Sequence, residues 1–168
     1  MTRLHMRVAI AGFMTLSGIA GATSDPLPTE TFKVLPLTLA IEAAEAAIAS
    51  CKAQGYNTSA AIVDRAGNIK VLLVADGASV LSRDLTRRKA YTAAVRAITT
   101  IELATAIATP GAFNPTLYDA QMVTAGGGVP IKVGNEVIGG IGVGGAPGGD
   151  KDEACAKAGL AKIGDRLN

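Results

Sequence analysis

Few side chains in this sequence have the chemistry to act on a ligand. They are Asp76, Lys89, Tyr91, Tyr118 and Asp119, with Cys51 and Cys155 as the two thiols. The single histidine is His5. If it leaves with an export leader, as argued below, the mature chain has no imidazole. Ser-His-Asp and Cys-His triads and ordinary zinc sites are then excluded. Acid–base work would fall to carboxylates, lysine or tyrosine, but these residues stand at no diagnostic catalytic spacing, so each is read first as structural. The glycines are more telling. The stretch Gly126–Gly149 holds 11 of the chain's 20 glycines, with Val129, Ile131 and Val133, then Val137, Ile141 and Val143, between them. Alternation argues for strands, and Gly134-Asn135 for a tight hairpin. Glycine weakens a strand, so Gly139, Gly140, Gly142 and Gly144 imply that a backbone or a ligand comes close. We read this hairpin as the floor of a small-molecule site. The spacing Gly140-x-Gly142-x-x-Gly145 matches the dinucleotide fingerprint. Its context does not, because no further strand with a terminal acid follows the helix.

The elements that must position these residues follow from periodicity. Leu37, Ile41, Ala44, Ile48 and Cys51 mark one apolar helical face, started by Pro36 and ending near Gly55. Residues 59–64 and 68–75 are β-rich runs around the turn Asp64-Arg65-Ala66-Gly67. Ser79 and Ser82 offer caps to a helix over roughly 80–98. Ala90, Ala93, Ala94 and Ala97 let that helix approach a sheet, with Lys89, Thr92 and Arg96 as a polar stripe beside them. A short helix is expected over 101–109. The loop from Pro110 to Pro115 could serve as a lid, and a short strand is expected over Met122–Ala125. The glycine hairpin supplies two more strands. A last helix starts near Asp150, where acids favour the positive helix end, and buries Ala156, Leu160, Ile163 and Leu167. Five strands and four helices in this order indicate an α+β fold with a mostly antiparallel sheet.

Residues 1–22 read as a signal peptide: Arg3 and Arg7, an apolar run from Val8 to Ile19, and the small-residue site Ala20-Gly21-Ala22. An extended arm over 23–35 and one domain over 36–168 complete the organisation. Export points to a periplasmic or secreted protein, with no stable membrane anchor after cleavage. Removing Arg3 and Arg7 from 16 basic residues leaves 14 against 14 acidic ones. A neutral chain with three Tyr, three Phe and no Trp lacks the footprint of nucleic-acid binding. In an oxidising compartment Cys51 and Cys155 are expected to pair. They fall near the end of the first helix and the start of the last, and meet if those helices pack antiparallel.

Several runs taken together resemble the GlcG/HbpS family of haem-binding and haem-degrading-type proteins. They are Asp76-Gly77-Ala78, the segment Arg88-Lys89-Ala90-Tyr91-Thr92-Ala93-Ala94, Gly126-Gly127-Gly128-Val129-Pro130-Ile131, Gly139-Gly140-Ile141-Gly142-Val143, and Asp152. The resemblance covers residues 36–165. It implies a profilin-like sandwich with a five-stranded antiparallel sheet, assembly into homo-oligomers, and in some members export, haem binding and a link to redox sensing. Two departures stand out: Ala75 replaces a frequent Met, and no histidine remains to ligate haem iron. Tyr91, Tyr118 and Met122 are the candidate iron ligands. A haem or other tetrapyrrole would use the glycine hairpin, the 80–98 helix and the 110–115 loop. The expected ligand-binding residues are Asp76, Gly77, Lys89, Thr92, Gly126, Gly127, Gly128, Pro130, Gly140 and Gly142. An alternative is an enzyme or accessory protein acting on a small organic acid or aromatic, with Lys89 and Thr92 gripping a carboxylate and the Gly126–Gly128 amides holding an anion. A third reading is a ligand-free assembly module whose glycines serve packing between subunits.

Overall fold

The computed structural model describes residues 27 and 29–167; the expected leader over 1–22, and His5 with it, lies outside them. In chain order the elements are α1 (Leu37–Lys52), β1 (Ser59–Asp64), β2 (Ile69–Val74), α2 (Val80–Arg96) and α3 (Thr100–Ile107). A 3-10 turn at Pro115–Leu117 follows, then β3 (Gly128–Val133), β4 (Glu136–Gly144) and α4 (Gly149–Ile163). Local chemistry sets most boundaries. Ser79 caps α2 by accepting from the Leu81 amide at 3.3 Å, and a left-handed Ala97 closes it. Thr99 and Glu102 form a reciprocal capping box on α3. Both Ala66 and Asn68 donate backbone N–H groups at 2.9 Å to one Asp64 oxygen, closing the first hairpin. Gly67 and Gly134, at φ +83° and +58°, supply the left-handed positions of the two hairpin turns.

The sheet is antiparallel, in the order β2-β1-β4-β3. It has four strands rather than the expected five. The Met122–Ala125 segment has no regular structure. The Met122 amide donates to the Asp119 carbonyl and the Val123 amide to the Thr92 hydroxyl, at 3.0 and 2.9 Å, so the start of this segment bonds to a turn and a helix rather than to a strand.

The two faces of the sheet are built differently. On one, Ile62, Val71, Ile131, Ile141 and Val143 pack against the small residues of α1 and α4. Those helices lie close together. A Cβ on Gly159 of α4 would strike the Ala43 carbonyl of α1. Cys51 and Cys155 join the helices in a disulfide with Cα atoms 5.5 Å apart. On the other face α2 lies directly on β4. Added Cβ atoms at Gly140, Gly142 and Gly144 would meet the Ala90 carbonyl, the Thr86 carbonyl and the Thr86 hydroxyl respectively. Every second residue of β4 therefore lacks a side chain along the line where the Ser82, Thr86, Ala90 and Ala94 row of α2 runs. The close partner that these glycines imply is a helix backbone, not a ligand. No helix among the described residues is long and apolar enough to cross a membrane.

Two measurements follow from this packing. Gly142→Ala puts a Cβ against Thr86 and 2.7 Å from the Ala90 amide, so it should cost about 1–3 kcal/mol in chemical denaturation. Gly164→Ala, at φ −58° with nothing within 4 Å, should be neutral or slightly stabilising. Equal stability of the two variants would contradict the docking of α2 on β4. Cys51→Ser with Cys155→Ser opens a loop with a sequence separation of 104. It should lower stability by about 4–5 kcal/mol on the chain-entropy account. A loss under ~1 kcal/mol on that scale would show that the bond constrains little.

Candidate functional site

The residues expected to bind a ligand are for the most part occupied by the fold itself. Lys89 is 2% exposed. Its Nζ donates to Asp152 Oδ2 at 2.7 Å and to the Val143 carbonyl at 2.9 Å. Asp152 Oδ1 in turn accepts from the Ala146 amide. This buried ion pair ties α2 to β4 and to the first turn of α4, and leaves Lys89 no reach toward a substrate. The Thr92 hydroxyl donates to the Arg88 carbonyl and accepts from the Val123 amide, so it holds a loop rather than a ligand. Gly128 donates its amide to the Thr100 hydroxyl. A Cβ on Gly127 would meet Asp152 at 2.7 Å, and one on Gly126 would lie 3.0 Å from the backbone of Gly149. Pro130 pairs with Gly140 in the β3–β4 ladder. Gly140 and Gly142 lie under α2. Asp76 and Gly77 sit exposed in the turn between β2 and α2. The set read from sequence is thus dispersed between core and turn.

A different group comes together beside α2. A cavity of about 350 Å³ is lined by Leu85, Arg88, Thr116, Met122, Val123, Thr124 and Ala125. Helix α2 contributes Leu85 and Arg88, one turn apart on the same side. Thr116 comes from the 3-10 turn, which Asn114 caps through its bond to the Thr116 amide at 3.0 Å. The remaining walls come from the segment that was expected to be a strand. Arg88 is half-buried, and its Nη2 donates to the Met122 carbonyl at 3.1 Å. Its Nε is fully buried and without a partner. Among the described residues no carboxylate pairs with it.

The three candidate iron ligands lie on or beside this wall, in different states. Met122 lines the cavity and is 8% exposed. Tyr91 donates its hydroxyl to Asp119 Oδ2 at 2.8 Å. That bond, then burial and the Asp119 charge, raise its phenol above the ordinary tyrosine value, which disfavours the phenolate an iron would need. Tyr118 is 78% exposed and stacks on Phe113, ring centroids 5.3 Å apart. Phe113, Leu117 and Tyr118 form an exposed apolar shelf on the loop that carries Thr116. Both thiols are taken by the disulfide. Among the described residues no cluster of three or more His, Cys, Asp or Glu could hold a metal ion.

A cavity of similar size, about 340 Å³, is lined by Lys33, Leu35, Leu39, Ile138 and Arg166 among others. Its guanidinium is neutralised, since Arg166 pairs with Glu42 at 2.9 Å. The hydrogen bond from Arg166 holds the Glu42 carboxyl below its usual value. The Arg88 cavity differs in that no carboxylate among the described residues pairs with its guanidinium. Sequence reasoning missed Arg88, Thr116 and Thr124. The available signal was weak: Arg88 stands beside Lys89 in a motif already singled out, and about 100° of helical rotation separates adjacent residues.

Comparison with known proteins follows this geometry. Residues 35–161 match the family model described as haem degrading protein HbpS-like. An uncharacterized 15.0 kDa protein of the dhaT-dhaS intergenic region of Citrobacter freundii is 34% identical over 121 residues, 67% of this chain and 82% of that protein. The crystal structure of HbpS is 40% identical with a TM-score of 0.73, covering 79% of this chain and 92% of that one. The PduOC structure in complex with heme is 26% identical with a TM-score of 0.71, covering 78% and 96%.

If Lys89–Asp152 is the structural clamp described, breaking it one-sidedly should be expensive. Asp152→Leu strands a buried ammonium and should lose about 3–5 kcal/mol in denaturant melts. Adding Lys89→Met to that variant should recover much of the loss, because the uncompensated charge disappears with it. A double variant less stable than Asp152→Leu alone would show that the bond from Lys89 to the Val143 carbonyl outweighs the stranded charge.

Proposed function

The chain belongs to the HbpS-like family, and from that premise we propose that it is an exported haem-binding protein. Support for haem is the family itself together with the likeness to PduOC, a relative whose structure holds heme. Support for export is the leader pattern of Arg3, Arg7 and the apolar run, together with a disulfide between the two cysteines. A periplasmic or secreted homo-oligomer with a link to redox sensing is the full form of this reading.

The residues on the α2 side fit a haem. Met122 offers a thioether from the cavity wall, Leu85 adds an apolar contact, and the Phe113, Leu117 and Tyr118 shelf offers apolar surface to a macrocycle. Bound haem would supply a redox-active iron. The protein's part would be to hold the ring beside the middle of α2, at Leu85 and Arg88, and to shield it from water. Tyr91 serves by fixing Asp119 rather than by ligating iron. The observation that carries the reading is Met122, a buried soft ligand lining an open cavity in a chain of a haem-associated family.

Hemin titrated into the purified protein should give a saturable, red-shifted Soret band at fixed stoichiometry. Met122→Leu keeps volume and apolar character, so it should move the Soret maximum without lowering the melting temperature. Tyr118→Phe should leave the maximum in place. Hemin that keeps its free-solution spectrum at excess protein would end the proposal.

A further inference from the structure

We infer that the cavity at Arg88 is a carboxylate-binding site, taking either a propionate of a porphyrin or the carboxylate of a free organic acid. The porphyrin arm rests on the haem reading above; the organic-acid arm does not. A guanidinium carries five N–H donors. In this protein one meets the Met122 carbonyl, and the buried Nε has no partner among the described residues. The nearby acids are committed elsewhere. Asp84 pairs with Arg87 at 3.2 Å. Asp119 accepts from the Tyr91 hydroxyl and from the Gln121 amide, both at 2.8 Å. Arg88 is therefore a half-buried cation with no anion among the described residues, held at the wall of a cavity about 350 Å³ in volume.

Its position is fixed from both sides in sequence. Lys89 is locked to Asp152, and the Thr92 hydroxyl bonds back to the Arg88 carbonyl. The bond to Met122 sets the plane of the fork. Leaving a buried donor unsatisfied is costly, and such exceptions call for an explanation such as a ligand or a water. A planar, oriented guanidinium matches a carboxylate through two parallel hydrogen bonds. Thr124 adds a hydroxyl to the same wall, whereas Thr116 already donates its own to Asn114 at 2.7 Å. The cavity suits a carboxylate on a body of mixed polarity, because Leu85, Met122, Val123 and Ala125 share the lining with the two threonines. The organic-acid reading thus moves from Lys89 and Thr92 to Arg88.

The test compares hemin with hemin dimethyl ester, which lacks free carboxylates, on wild-type protein and on Arg88→Gln. Loss of one charged hydrogen-bonding partner should weaken hemin about tenfold or more. The ester should bind both proteins alike, at the affinity of hemin for Arg88→Gln. If Arg88→Gln melts early, Arg88→Lys replaces it; it keeps the charge without the fork, and its hemin affinity should fall between the other two. A folded variant that binds hemin as wild type does overturns the proposal and leaves haem binding intact. If wild type binds neither porphyrin, the haem reading fails by itself and benzoate decides. A rise in melting temperature with benzoate in wild type, absent in Arg88→Gln, supports the free-acid source. No rise in either overturns the site altogether.

Discussion

The structure depends on one close approach, that of the α2 backbone to β4. Gly140, Gly142 and Gly144 present no side chains on that face, and the carbonyls of Thr86 and Ala90 occupy the space where Cβ atoms would be. An interior helix–sheet contact normally interdigitates bulky side chains. Here main chain rests on main chain, so apolar burial along this contact is thin, a small cluster of Ala61, Val63, Ala90 and Ala94. The bulky core lies on the opposite face, under α1 and α4. The α2 side compensates with polar links. The Lys89–Asp152 pair and the Ser59–Ser82 contact, at 2.7 and 2.8 Å, cross the same seam. A buried ion pair adds little net stability relative to a good apolar contact. What it does here is fix α2 against β4 and α4 at one point along its length.

Much of this was legible in the sequence, because periodicity and turn chemistry are local. Both hairpins, the four helices and the joining of Cys51 to Cys155 could be read without coordinates. The glycine alternation was legible too, but its meaning was not. A residue without a side chain says only that something lies near. Identifying that partner as α2 requires matching Gly140, Gly142 and Gly144 to the four-residue row Ser82, Thr86, Ala90 and Ala94. The same four-residue logic applied to Lys89, Thr92 and Arg96 chose a stripe whose first two members are buried and whose last is exposed. The strand expected over Met122–Ala125 failed for a related reason. Its residue types suit a strand, yet the Val123 amide is claimed by a side chain 31 positions away. Sequence spacing carries no record of such a capture.

Lys89 and Arg88 show why the site was harder to read than the fold. The two cations are adjacent on one helix, and about 100° of helical rotation separates them. That rotation sends Lys89 to a carboxylate at a separation of 63 residues and Arg88 to a loop carbonyl. Nothing local distinguishes the structural cation from the unpaired one. The acid that neutralises Lys89 lies in the Gly-Gly-Asp-Lys-Asp start of α4, where it could equally have been read as a helix-end charge. Only the three-dimensional count of partners separates the two.

The same close packing also decides where a ligand can go. With α2 resting on glycines and α1 and α4 closed by alanines, Gly159 and a disulfide, the helices sit tightly on both sheet faces along most of their length. Binding is confined to the margins, where helix meets loop. At the α2 margin the loop from Pro110 to Ala125 arrives with its apolar groups outward and is pinned by the Tyr91–Asp119 and Thr92–Val123 bonds. A rigid helix therefore holds a guanidinium against a loop that is anchored at discrete points and exposed between them. Such a margin can present a fixed charge to one end of a ligand while the loop adjusts to its apolar remainder. That combination suits a molecule held by one anionic end, and it is set by the missing side chains of β4.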